Sequence, residues 1–75
     1  MSKTQRDYYI NMVTDAAEMM ARARLVNPDG VHADRMNPTR EFHRFASAFR
    51  EAHEAGLPLH VIRRARTEGE RQVIA

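Results

Sequence analysis

Imidazole is the side chain with the widest chemical range in this chain, which carries four histidines, His32, His43, His53 and His60. It transfers protons near neutral pH and ligates metal ions. Ligation needs two or more donors on one face, as in a histidine pair four residues apart on a helix. His43 and His53 stand ten residues apart within one helical pattern, and His32 lies near Asp34 in a turn-rich segment, so no such set forms. Proton transfer could pair His43 with Glu41, but on a helix those neighbours point to different sides, and no nucleophile or oxyanion loop accompanies them. We therefore expect no enzymatic activity, no metal, no cofactor and no small-molecule substrate, with the histidines solvated on helix surfaces.

The guanidinium group comes next. Lys3 is the one lysine among 12 basic residues, which oppose 10 acidic ones for a net charge of +2. Residues 1–37 balance at five of each sign, whereas residues 38–75 carry seven arginines against five glutamates. Arg63, Arg64 and Arg66 form the densest cluster, directly after the break Gly56-Leu57-Pro58. Arginine forks onto carboxylate or phosphate, so this cluster points to an acidic protein rim or to nucleic acid. Arginine bias of this kind also arises from a GC-rich genome.

Such side chains need a scaffold, and its size is limited. At 75 residues the chain makes one domain, residues 1–75, with a thin core and a small stability margin. Without cysteine there is neither a disulfide nor a thiolate metal site, which leaves packing and oligomerisation as sources of stability. No apolar run approaches the roughly 20 residues that span a bilayer. The polar start, Met1 to Asp7, lacks the apolar stretch of a secretory signal, and the expectation is a cytoplasmic protein with no membrane contact.

Apolar periodicity predicts an all-α domain of three helices. In the first, residues 5–26, Tyr9, Met12, Val13, Ala16, Met19, Met20, Ala23 and Val26 share one face. Ser2 or Thr4 can cap it, Asp7 falls in its first turn, Glu18 pairs with Arg22 one turn on, and Asn27-Pro28-Asp29-Gly30 stops it. The second helix, residues 38–55, starts at an Asn37 or Thr39 cap and buries Phe42, Phe45, Ala46, Phe49 and Ala52. Gly56 terminates it in a left-handed conformation. A short third helix, residues 58–67, buries Val61, Ile62 and Ala65 and exposes His60, Arg63, Arg64 and Arg66. Residues 68–75 read as a frayed, flexible tail, with Val73 and Ile74 able to dock.

The first helix would be about 33 Å long, more than so small a core needs to cover. Met12, Met19 and Met20 supply a polarisable face suited to core gaps or to a partner, and Tyr8 and Tyr9 suit an interface rim. A two-fold homodimer would bury the remainder.

Residues 48–67 also resemble the helix-turn-helix motif, with Ala52, Gly56, Leu57, Ile62 and Ala65 at the places where that pattern sets the crossing of two helices. The resemblance implies that residues 58–67 form a recognition helix presenting His60, Arg63 and Arg64 to the major groove, with Arg40 and Arg44 on phosphates. Two functions are thus expected. The first is a regulatory or accessory protein, an adaptor or inhibitor of the sort bacteriophages and mobile elements encode, binding a protein partner through Tyr8, Tyr9, Met12, Met19, Met20 and the Arg63, Arg64, Arg66 cluster. The alternative is a helix-turn-helix transcriptional regulator.

Overall fold

A computed structural model describes residues 1–26 and 40–74. The break at residues 27–30, the His32 and Asp34 segment and the caps proposed at Asn37 and Thr39 lie outside the described residues. Among those described the fold is all-α, with three helices and no strand: α1 (Lys3–Val26), α2 (Arg40–Glu54) and α3 (Leu59–Ile74).

Each boundary has a local cause. Ser2 opens α1 through a reciprocal capping box: its Oγ accepts from the Gln5 amide at 3.2 Å while its own amide donates to Gln5 Oε1 at 3.2 Å. Thr4 lies inside the helix, so it is not the cap, and because α1 starts at Lys3 rather than Gln5, Asp7 falls beyond the first turn. Glu18 and Arg22 pair at 2.9 Å. Helix α2 ends in a Schellman motif. The Leu57 amide donates to the Ala52 carbonyl and the Gly56 amide to the His53 carbonyl, each at 3.0 Å, with Gly56 at φ 103°. Ala52 and Leu57, the two apolar ends of that motif, are both buried. The Pro58 carbonyl then accepts from the Val61 and Ile62 amides, at 3.0 and 3.1 Å, and starts α3.

Helix α1 is the hub. Helices α2 and α3 each pack chiefly on α1 and touch one another little. Val13, Ala16, Ala17 and Met20 of α1, Phe45, Ala48 and Ala52 of α2, and Leu57, Ile62 and Ala65 form the core, with Tyr9, Ile10, Met12, Phe49 and Val61 packed against it. The smallest dimension of the molecule is 16 Å. Two packed helices measure about 13–15 Å between their outer Cα atoms, so the fold is two helices thick.

Two expectations are corrected. The buried face of α2 is Phe45, Ala48 and Ala52, with Phe49 half-buried, while Phe42 and Ala46 are exposed. The helix is turned by roughly 60° from the all-phenylalanine stripe. Ala48 and Ala52 turn their small side chains to the core beside Phe45, and Phe42 and Phe49 are set toward the flank.

The second correction concerns residues 68–74, which are helical rather than a frayed tail. Gly69 is buried, and a Cβ built on it would collide with the Thr14 carbonyl oxygen and lie 2.9 Å from Ala17 Cβ and 3.0 Å from the Glu18 nitrogen. Only glycine permits that approach, so α3 continues the series Ile62, Ala65, Gly69 along α1. Two ion pairs along this stretch, Arg66 with Glu70 at 2.8 Å and Arg71 with Glu68 at 3.4 Å, bridge successive turns.

Candidate functional site

Three regions hold the residues that sequence reasoning singles out. The first is a groove of about 530 Å³ between α1 and α2, walled by Met12 and Met19, floored by Ala16 and Ala48, and rimmed by Asp15, Arg44 and Glu51. The small floor follows from the rotation of α2 described above: where two alanines face each other, neighbouring long side chains stand up as walls. Arg44 Nη1 donates to Met19 Sδ at 3.3 Å, tying the methionine wall to α2. Arg40 and Glu41 gather beside the same methionine. Met19 is 40% exposed and Met12 is half-buried.

The other proposed partner-binding residues separate from this groove. Met20 is 2% exposed and belongs to the core, so it has no surface to offer a partner; this corrects its place in the expected set. Its side of α1 faces the Phe45 and Phe49 rings, a neighbourhood that periodicity within α1 alone does not reveal. Tyr9 packs against the core, while Tyr8 is 63% exposed and meets Tyr9 edge-to-face at 5.2 Å.

The second region is the outer face of α3. His60, Arg63 and Arg64 are exposed there, and no ion pair or hydrogen bond engages their side chains among the described residues. Of the residues on which the helix-turn-helix resemblance rests, Ala52, Leu57, Ile62 and Ala65 are buried and Gly56 has positive φ. Glu51 and Leu59 are both exposed. Arg40 and Arg44 are gathered beside Met19 at the α1–α2 seam.

Arg66 leaves the cluster it was grouped with and defines the third region. Its guanidinium lies over the Phe45 ring, 5.3 Å from the centroid, and its Nε donates to Glu70 Oε1 at 2.8 Å. Beside it is a cavity of about 450 Å³, formed by Met20 and Arg24 of α1, Phe42, Phe45, Ala46 and Phe49 of α2, and Arg66. Arg24 Nε is shielded from solvent and has no hydrogen-bond partner among the described residues. Leaving such a donor unmet costs about 1–3 kcal/mol. In the sequence Arg24 reads only as a favourable charge at the end of α1; the meeting of residues 24, 45 and 66 depends on how three helices cross.

Among the described residues, no group of three or more His, Cys, Asp or Glu is placed to hold a metal ion, and no helix is long and apolar enough to cross a membrane. No protein-family model, no curated protein and no solved structure matches this chain.

Proposed function

We propose that this protein is a non-enzymatic helical binding module that receives the apolar face of a partner protein's helix in the groove between α1 and α2. The observation that supports this reading is the groove itself: two methionine walls over an alanine floor, with charges of both signs on the rim. A helix docks in such a groove by inserting anchors spaced one turn apart, and methionine adapts its shape to the anchor. Asp15, Arg44 and Glu51 on the rim would set the register more than the affinity. A regulatory or accessory role, as adaptor or inhibitor, follows from binding without catalysis.

The test is a photo-crosslinking side chain placed at Met19 and, in a second variant, at Arg63. A discrete protein captured from Met19 alone, and competed away by unlabelled wild type, supports the groove. Capture from neither position, or from Arg63 alone, sinks it.

A second reading, a helix-turn-helix DNA binder, draws on the buried Ala52, Leu57, Ile62 and Ala65 around a left-handed Gly56, with His60, Arg63 and Arg64 exposed on the outer face of α3. A titration of random-sequence duplex at low and physiological salt decides it. Binding with a steep salt slope that is lost in the double variant Arg63→Gln, Arg64→Gln would favour this reading over the groove.

A further inference from the structure

The third region asks for a ligand that neither reading above uses. We propose that the cavity between α1, α2 and the middle of α3 binds a medium-chain aliphatic carboxylate, its chain against Phe42, Ala46 and Phe49 and its carboxylate between Arg24 and Arg66.

The cavity wall is apolar, and both polar side chains that line it among the described residues are guanidinium groups. No carboxylate lines it there. Glu70 engages Arg66 through Nε, and that is the one hydrogen bond this guanidinium makes among the described residues, so its terminal nitrogens are left for an outside acceptor. The Phe45 ring on one side and Glu70 on the other hold Arg66 in place before any ligand arrives. Preorganised donors of this kind lose little freedom on binding an anion. Arg24 contributes a second positive charge and an Nε–H that is shielded from solvent and that no described residue accepts. An apolar body with a single anion at its end answers both halves of the cavity at once. A neutral alcohol can accept a hydrogen bond there but brings no charge and no second oxygen for the guanidinium fork, and a cationic amphiphile would be repelled.

The volume, about 450 Å³, falls in the range of roughly 300–1,000 Å³ usual for small-molecule sites. No nucleophile and no acid–base pair lines the cavity among the described residues, so the ligand is held and not converted. The site shares no lining residue with the α1–α2 groove, and its occupancy can be tested without knowing any protein partner.

The experiment is a titration of the full chain, followed by backbone amide NMR, with decanoate, decanol and decyltrimethylammonium, each below its aggregation concentration. Decanoate is expected to shift amides around Ala46, Phe49 and Arg66 and to leave those of Met12 and Met19 in place. Decanol should bind at least about tenfold more weakly, and Arg24→Gln and Arg66→Gln should each weaken decanoate by about tenfold. Ala46→Glu alters an exposed position and brings a carboxylate to the cavity; it should abolish decanoate binding with unchanged helix content. No binding by wild type, equal binding of decanol, shifts confined to the α1–α2 groove, or full affinity in a folded Ala46→Glu variant would each overturn the proposal.

Discussion

Gly56 and Gly69 show how one residue type is required for opposite reasons. Gly56 has open space around it, with Met1 Cε, at 4.0 Å, the nearest atom to a Cβ placed there, but its φ of 103° belongs to the left-handed region. Gly56→Ala should therefore destabilise the fold by about 1–2 kcal/mol through backbone strain alone. Gly69 carries no such strain; it lies in α3, where alanine is ordinarily the better helix former by about 1 kcal/mol. Contact with Thr14, Ala17 and Glu18 reverses that sign, and Gly69→Ala should cost about 1–3 kcal/mol in chemical denaturation. A more stable Gly69→Ala protein would mean that α3 does not cross α1 at this point. Phe45, 7% exposed and stacked under Arg66, should cost about 3–5 kcal/mol as Phe45→Ala, close to the whole stability of a domain this small. A folded and equally stable variant would remove it from the core.

At the scale of the helix, what is legible in the sequence is what is decided locally. The apolar period marks all three helices, the Ser2 and Gln5 pair caps the first, and Gly56-Leu57-Pro58 separates the second from the third. Crossing geometry is not legible. The rotation of α2 toward Ala48 and Ala52, and the placing of Arg24 beside Phe45 and Arg66, are set by residues distant in sequence. The far half of α3 is hidden for a related reason. Glu68, Glu70, Arg71 and Gln72 make it look polar, and its contribution to packing is a glycine, which carries no hydrophobic signal. Gly69 and Val73 do nevertheless extend the Ile62 and Ala65 series by steps of four. Ending the chain after Thr67 should thus cost more than a frayed tail would. The shortened protein is expected to lose helical signal from α1 as well as α3 and to melt with reduced cooperativity by circular dichroism. An unchanged melt would return residues 68–74 to the status of a tail.

The whole molecule carries the question of self-association. The expectation of a homodimer rests on an α1 too long for its own core, with α3 stopping at residue 67. Because α3 runs on to Ile74 and meets α1 at Thr14, Ala17 and Glu18, that side of α1 is covered within one chain. The side of α1 with Met12 and Met19 stays open, near Tyr8, which is 63% exposed, while Leu25, 67% exposed, lies on another face of the helix. Among the described residues no further helix lies over Met12 and Met19, and we expect a second copy to pair through this groove. Met19→Ala should then weaken self-association by about tenfold, while monomer stability falls by less than about 1 kcal/mol, since a side chain already 40% exposed leaves little cavity behind. The wild-type melting temperature should rise with protein concentration, and that dependence should flatten in the variant. Melting that is independent of concentration in both proteins would rule out the dimer and leave the methionine groove to a different chain.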